Sequence, residues 1–196
     1  MPRTKPSARL LPRFSALCGT VLLFAFTACG SADDDGGGDP QGILLPDVAY
    51  CDDVQFWTPE RIDYENRVLE LVNIERSQGA DCGSEGVFGS ADPLVMEAAL
   101  TCAARVHSKD MADRGYFSHN TPDGQSPWDR MAEATYAGFA QAGENIAQGQ
   151  SNPEAVIATW MNSDGHCSNI MDPGYTEIGV GYYDGNYWTQ VFARPR

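Results

Sequence analysis

Residues 178–193, IGVGYYDGNYWTQVFA, carry the pattern of a β-hairpin. Apolar side chains alternate with glycine and tyrosine from Ile178 to Tyr182, and Asp184-Gly185 favours a two-residue turn. The segment 187–193 then has the composition of a returning strand. The pattern predicts two antiparallel strands joined by a tight turn.

Upstream of this hairpin the apolar period changes to that of amphipathic helices. Capping residues, proline and glycine delimit four segments. They are a helix over 63–78, a helix from the N-cap Asp92 to Gly115, a helix beginning at Ser126, and a helix from Asn152 to Gly165. Helices followed by paired strands predict an α+β domain, with an antiparallel sheet covered by helices in a three-layer α-β-α sandwich.

Composition limits the choice of partners. The chain has 196 residues, 27 of them acidic and 13 basic, and a formal charge of −14. Four of the basic residues lie in residues 1–28, so the remainder stands at 9 minus 27, or −18. Such a charge repels phosphate backbones, and nucleic-acid binding is not expected. The length predicts one domain with additional segments, and we expect a monomer.

The first 28 residues have the features of a signal peptide. Residues 1–13 are basic, and residues 14–28 form an apolar stretch shorter than the roughly 20 residues that span a bilayer. The stretch ends before Cys29 in a sequence that resembles the bacterial lipobox. We therefore expect export, with a lipid anchor at Cys29 on the outer face of a bacterial membrane. The alternative is ordinary cleavage near Ala28, which leaves a secreted protein and a free Cys29 thiol.

The segment after the signal is polar, acidic and rich in glycine. We interpret 29–45 as a flexible tether and 46–63 as an N-terminal extension of the folded domain.

Four cysteines remain once Cys18 and Cys29 are set aside, and an oxidising compartment favours two disulfides. Three pairings are open, of which we favour Cys51 with Cys82 and Cys102 with Cys167. The chain has no Cys-x-x-Cys pair, so it offers no support for a thioredoxin-like centre or a zinc ribbon.

Three polar residues are candidates for chemistry: His119, Glu144 and His166. Each lies in a loop or at the end of a predicted helix, where side chains can converge. His107 lies in mid-helix and is interpreted as a packed or surface histidine and not as a ligand. Trp128, Trp160 and Trp188 are interpreted as core residues. Residues 184–186 suit a hairpin turn better than a calcium site. The motifs of zinc proteases, serine hydrolases and P-loop proteins are missing.

Five ordered blocks resemble the CAP superfamily of cysteine-rich secretory, antigen-five and pathogenesis-related proteins, most closely its bacterial SCP-like branch. These blocks are 73–76 (NIER), 117–120 (FSHN), 143–147 (GENIA), 160–170 (WMNSDGHCSNI), and 178–181 (IGVG) with 187–192 (YWTQVF). The resemblance extends over about Tyr64 to Ala193. It implies a CAP domain over 64–194 with the sandwich fold.

The resemblance also implies a polar cleft. In eukaryotic members two histidines and two glutamates line it, and the first of each matches His119 and Glu144. The second glutamate falls on Ser163 and the second histidine on Tyr187, so half of that set is replaced. The local set becomes His119, Glu144 and His166, with Asn145, Ser163, Tyr187 and Gln190 as further cleft residues.

Two imidazoles and a carboxylate can serve three kinds of chemistry. They can form a hydrogen-bonded network that holds the helices on the sheet. His119 and His166 can bind a divalent metal such as zinc. The three side chains can also carry acid–base catalysis.

The resemblance leaves three functions open. The first is a module that binds a lipid, sterol, peptide or other envelope ligand. The second is a metal-dependent extracellular hydrolase or peptidase. The third is a structural envelope protein without a ligand.

Overall fold

The computed structural model describes residues 42–196. The predicted signal peptide, Cys29 and most of the tether lie outside this range. The helices are α1 (Pro59–Gln78), α2 (Ala98–Arg114), α3 (Pro127–Glu133), α4 (Pro153–Met161) and α5 (Asp164–Met171). The strands are β1 (Ala80–Asp81), β2 (Val87–Phe88), β3 (Val95–Met96), β4 (Phe139–Gln148), β5 (Glu177–Tyr183) and β6 (Tyr187–Pro195).

The main sheet has four strands in the order β3-β5-β6-β4. The predicted hairpin is confirmed, since β5 and β6 pair antiparallel, but the predicted two-residue turn is wrong. Tyr183 lies opposite Tyr187, so the turn has three residues, 184–186, and both Gly185 and Asn186 adopt positive φ in it. Strand β4 pairs antiparallel with β6 along its length, and the two-residue β3 runs parallel to β5. β4 therefore forms one edge of the sheet. The strands β1 and β2 form a separate two-stranded sheet.

Helices cover both faces of this sheet, which confirms the α-β-α sandwich. On one face α1, α4 and α5 bury a cluster with Ile178, Val180, Trp188 and Phe192 of the hairpin. On the other face α2 packs against Val191 and the N-terminal segment. Burial of these apolar side chains supplies the main favourable term for folding.

The glycines of the hairpin allow α2 to lie directly on the sheet. A Cβ atom at Gly179 would collide with the backbone of Leu100, and one at Gly181 would collide with the backbone of Ala104. The alternation of large residues with glycine in 178–181 thus has a cause in packing. One face of β5 carries apolar side chains. The other face has glycines, which have no side chain, so a helix backbone can approach it closely.

The second helix begins later than predicted. The expected N-cap Asp92 is wrong, because residues 92–97 approach the sheet in extended form and Leu94 is buried there. The side chain of Asn73 bonds both the N–H and the carbonyl of Leu94. Glu97 caps α2 instead, accepting from Leu100 N at 2.7 Å. Long-range pairing with β5 outweighs the local capping signal.

The other helix predictions need smaller changes. α1 begins at Pro59, before the expected residue 63, and Thr58 caps it. α3 begins as predicted, with a capping box between Ser126 and Asp129. The predicted fourth helix ends at Met161, and a separate helix, α5, follows.

The disulfides pair differently from our expectation. The structure joins Cys51 to Cys102 and Cys82 to Cys167, with Cα separations of 5.7 and 5.5 Å. The favoured pairing of Cys51 with Cys82 is wrong because the two cysteines lie in different apolar clusters, one on each side of the sheet. Proximity along the sequence gave no information on this separation.

The extension 46–63 is part of the folded unit. Trp57 is buried beside α2, and its indole N–H donates to the buried Glu65 at 2.8 Å. Trp160 and Trp188 are fully buried, as predicted, and His107 proves to be packed and not at the surface. The prediction for Trp128 is wrong: it remains 41% exposed and contacts Phe139 near the edge of the sheet.

Candidate functional site

A cleft of about 630 Å³ opens beside the end of β4. One wall is the loop 117–120 that follows α2, and the other wall comes from α4 and α5. Both apolar and polar side chains line it. The cleft is lined by Phe117, Ser118, His119, Asn120, Ile146, Ala147, Gln148, Gln150, Thr159, Trp160 and His166. Two of the three candidate residues, His119 and His166, thus face one cavity.

The buried ion pair of Glu144 and Arg130 holds His119 in place. Its Nδ1 lies 2.8 Å from Oε1 of Glu144, and Oε2 of Glu144 accepts from Arg130 at 2.6 Å. The Glu144 and Arg130 side chains are almost completely buried, whereas that of His119 is 50% exposed. Glu144 is therefore a supporting group, and His119 is the member of the pair that reaches the cleft.

The expected location of Glu144 in a loop or at a helix end is wrong. Glu144 belongs to β4, where it lies opposite Val191 of β6. The glycine and polar residues of 143–145 do not have the alternating pattern that predicts a strand. In the fold, other elements pack on both faces of this strand. A rigid strand gives the carboxylate a more defined position than a loop does.

The Glu144 carboxylate determines which nitrogen of His119 is free. A carboxylate accepts hydrogen bonds, so Nδ1 of His119 carries the hydrogen, and Nε2 is the remaining nitrogen of the ring. Arg130 also donates to the His119 carbonyl at 2.9 Å. One guanidinium thus positions both the backbone of His119 and its carboxylate partner.

His107 supports the same loop from α2. Its Nε2 lies 3.0 Å from the carbonyl of Ser118, beside His119. Burial, and then the positive charge of Arg130, lower the pKa of His107 to about 4. The ring is therefore neutral at physiological pH and donates to the loop. The sequence left a packed and a surface position open for His107, and its contact with Ser118 is visible only in the fold.

His166 enters the cleft from α5. Its Nδ1 lies 2.9 Å from Oγ of Ser163, the residue that precedes the helix. Burial and the nearby charge of His119 lower the pKa of His166 below its ordinary value. The neutral form is thereby favoured, and a nitrogen lone pair is available at neutral pH.

The four additional cleft residues do not line the cleft. Asn145 and Gln190 are fully buried on the α5 side of the sheet, where Asn145 donates to the His166 carbonyl at 3.1 Å. The hydroxyl oxygen of Ser163 contacts Nδ1 of His166. Tyr187 lies beside the hairpin turn, paired with Gln148 at the end of the ladder. Three of these residues therefore support the site, and Tyr187 lies apart from it.

Arg130 is the functional residue that sequence reasoning missed. It follows the capping box of a short helix, a position where arginine is commonly exposed. The signal that could have identified Arg130 is a buried carboxylate with a basic residue on an adjacent element. Which carboxylate is buried, and which element is adjacent to it, is known only from the fold.

The donor set does not match a closed metal site. Within residues 42–196, no group of three or more His, Cys, Asp or Glu side chains is arranged to hold an ion. Both carboxylate oxygens of Glu144 are already bonded to His119 and Arg130. The cleft therefore offers at most the two histidine Nε2 atoms, fewer than the three protein ligands of a typical zinc enzyme.

Among the helices of residues 42–196, none combines the length and the apolar composition of a membrane-spanning segment.

Comparison with known proteins identifies the family of this chain. The family description "Cysteine-rich secretory protein family" (CAP) matches residues 89–193. The uncharacterized protein YkwD of Bacillus subtilis is 44% identical over 130 residues, which cover 66% of this chain and 46% of that protein. The uncharacterized membrane protein YlbC of the same organism is 32% identical over 154 residues, covering 79% and 40%. The chain thus spans less than half the length of these curated relatives.

Solved structures share the fold. An extracellular protein with an SCP domain from Bacillus anthracis superposes with a TM-score of 0.61 at 34% identity, over 70% of this chain and 44% of that one. A cysteine-rich secretory protein from Staphylococcus aureus has a TM-score of 0.53 at 19% identity, over 70% and 41%, and shows the fold alone. The family match extends over more than half of the sequence, and the chain belongs to the CAP family of cysteine-rich secretory proteins.

Proposed function

We propose that this chain is an exported ligand-binding module, and that the cleft beside β4 is its binding site. One observation carries the proposal. His119 lines an open cavity and is held in place by the buried ion pair of Glu144 and Arg130. A side chain held in one orientation before a ligand arrives loses little entropy on binding. The cavity volume is within the range of small-molecule and peptide sites.

The mixture of side chains indicates the kind of ligand. Phe117, Ile146 and Trp160 provide apolar contact, while His119 and His166 provide hydrogen bonds. Such a site suits a ligand that is partly apolar and has a few polar groups. Lipids, sterols and peptides of the cell envelope share that character.

Several features support export. Two disulfides join described cysteines, and disulfides persist in oxidising compartments. The similar protein from Bacillus anthracis is described as extracellular. We propose that the segment 1–28 directs secretion and that Cys29 carries a lipid. Radiolabelled palmitate should be incorporated into the wild type and not into Cys29→Ser, and an unlabelled wild type would refute the anchor.

The binding proposal is tested by blocking the cleft. Thr159 is exposed on α4 and lines the cavity, whereas its exposed neighbour Ala158 does not. Chemical-shift mapping with a library of small organic fragments should place bound fragments at 146–150 and 117–120. We expect Thr159→Trp to abolish these shifts and Ala158→Trp to keep them. Shifts that persist in Thr159→Trp, or that never involve the cleft, would refute the proposal and favour a structural role.

The hydrogen bond between Glu144 and His119 favours one second candidate, general-base hydrolysis. A carboxylate orients the imidazole in many hydrolases, and a base must lie within reach of the proton that it removes. If the protein has peptidase or esterase activity at this site, His119→Ala should abolish turnover while the fold is retained. Full turnover in that variant would exclude His119 as the base.

Zinc binding through the two histidines is tested separately. If the two histidines bind zinc, the metal should raise the melting temperature near neutral pH and raise it less in acid, because protonated imidazole does not bind metal. An equal shift in a His119→Ala, His166→Ala variant would exclude these ligands.

A further inference from the structure

Strand β4 is an edge strand, so half of its backbone groups face away from the sheet. The N–H of Gly149 donates to the carbonyl of Asn186 at 2.9 Å, just beyond the β4–β6 ladder. Residues two apart in an antiparallel strand face the same neighbour. Odd-numbered residues from Asn145 to Gly149 therefore bond to β6, while Glu144, Ile146 and Gln148 direct their backbone groups outward.

Two side chains close the first part of this edge. The outward carbonyl of Glu144 accepts from Asn169 of α5 at 3.4 Å, and that of Ile146 accepts from the indole of Trp160 on α4 at 3.2 Å. These bonds confirm the outward direction of the even-numbered residues. They also occupy the outward carbonyls of Glu144 and Ile146, which makes pairing with another strand at these two residues less favourable.

The edge is open at Gln148, the last residue of β4, where it lines the cleft. Gln148 and Gly149 are exposed, and no partner in residues 42–196 reaches the outward N–H and carbonyl of Gln148. Gln150 extends this lining. Its carbonyl accepts from the Trp188 indole at 2.8 Å, which holds the residue in place.

Gln150 contributes a second unsatisfied group. Its Oε1 atom is buried and has no hydrogen-bond partner in the described part of the chain. A buried acceptor without a donor costs free energy, and a ligand N–H placed there would remove that cost. The cleft thus presents an unpaired backbone N–H and carbonyl close in sequence to an unpaired side-chain acceptor.

We propose that the cleft binds an extended peptide segment, which adds to the open edge of β4 at Gln148. The peptide main chain exchanges hydrogen bonds with Gln148, and one of its N–H groups donates to Oε1 of Gln150. Its side chains on one face enter the cavity between His119 and His166. This inference rests on the proposed function and names the ligand class of the same site.

The hydrogen-bonding pattern favours a peptide over the other envelope ligands. An extended main chain offers donors and acceptors in alternation, as an open strand edge requires. A sterol or an acyl chain has few N–H groups and would leave the outward backbone of Gln148 and Oε1 of Gln150 unsatisfied. Peptide recognition through a strand edge takes affinity from the main chain and selectivity from alternate side chains.

The test uses phage-displayed random linear peptides selected on the folded protein. Selected peptides are resynthesised with a single N-methyl group at each position in turn. We expect affinity to fall roughly tenfold for each N–H that bonds to the edge, and N-methylation at the intervening positions to have little effect. Binding should be lost in Thr159→Trp and retained in Ala158→Trp.

A pair of variants tests the protein side. Gln148→Pro removes an outward N–H that bonds to no other strand, a substitution that edge strands tolerate. Gln148→Ala removes the side chain and keeps the N–H. We expect the proline variant to bind the selected peptides about tenfold more weakly than the alanine variant does, because only the proline variant lacks the outward N–H.

The outcomes separate this inference from the proposed function. Fragments that bind the cleft while no peptide does would overturn the peptide inference and leave the binding proposal intact. Peptides that bind in the cleft without a period-two response to N-methylation would also overturn it, because the main chain would not be the recognised group. Failure of both fragments and peptides to bind would overturn both proposals.

Discussion

Arg130 is the residue on which the arrangement of the cleft depends most directly. Its guanidinium neutralises Glu144 at 2.6 Å and holds the His119 carbonyl at 2.9 Å, in a position that water hardly reaches. Removal of one partner of a buried ion pair leaves an unpaired charge, which costs much more than the pair itself contributes.

We therefore expect Arg130→Met to lower the free energy of unfolding by about 3–5 kcal/mol, measured by urea denaturation. The double variant Arg130→Met, Glu144→Leu should recover much of this loss, because neither charge then remains buried. Arg67→Met is the matched control, since the ion pairs of Arg67 with Glu70 and Glu154 are exposed, and exposed pairs contribute little to stability. Equal losses in the two single variants would contradict this account.

His107 predicts how stability depends on pH. Its pKa is lowered from 6.5 to about 4, so the unfolded chain binds a proton at a pH where the native state does not. The resulting stability is fully present above pH 6.5 and is lost as the pH falls toward 4, by about 3 kcal/mol.

His107→Gln keeps a donor for the Ser118 carbonyl and removes the titration. We expect its free energy of unfolding to fall less between pH 7 and pH 4 than that of the wild type, by about 3 kcal/mol. The measurement is denaturant unfolding at a series of pH values. Parallel curves for the two proteins would exclude His107 as the source.

The sequence indicated His119, Glu144 and His166 through local motifs, and the structure places the two histidines on one cleft with Glu144 behind His119. Local motifs gave no information on which of the three would be exposed. Exposure depends on the elements that cover a side chain, and those elements come from distant parts of the chain.

At the scale of elements, the contact between α2 and β5 depends on glycines, because a side chain at these positions would collide with the helix backbone. Gly181→Ala would place a methyl group against the backbone of Ala104 and Arg105, where neither side can move without shifting a helix. We expect a loss of about 1–3 kcal/mol in urea unfolding, as for other overpacked cores. Gly165→Ala is the control, because nothing lies near its Cβ position within helix α5, and alanine there should be neutral or slightly stabilising. A neutral Gly181→Ala would refute the close approach.

Element predictions succeeded where the local signal and the tertiary contacts agree. The hairpin and the capping box of α3 are examples, since turn and cap residues act within a few positions. The predicted start of α2 was wrong because β3 pairs with β5, whose residues lie more than 70 positions away in the sequence. Strand β4 was missed because its pattern of small and polar residues does not alternate.

At the scale of the whole molecule, two disulfides join segments that are far apart in sequence. The bond from Cys82 to Cys167 closes a separation of 85 residues, and the bond from Cys51 to Cys102 closes one of 51. Loops of this size reduce the entropy of the unfolded chain by an amount worth about 4–5 kcal/mol in the chain-entropy account.

We expect Cys82→Ala, Cys167→Ala to lower the free energy of unfolding by about 4–5 kcal/mol, and Cys51→Ala, Cys102→Ala by slightly less. Denaturant unfolding measures both. Proteolytic mapping without reduction should recover peptides linked through Cys51–Cys102 and Cys82–Cys167. A linked Cys51–Cys82 peptide would contradict the structure.

The sequence alone determined the fold class, the hairpin, the family and the identity of the candidate histidines. Each of these depends on short-range patterns, which a linear chain displays directly. Only the tertiary structure decided the disulfide pairing, the burial of Arg130 behind Glu144, and the open edge of β4 beside the cleft. These features depend on which distant segments come into contact, and burial and unpaired backbone groups are defined only once those contacts have formed.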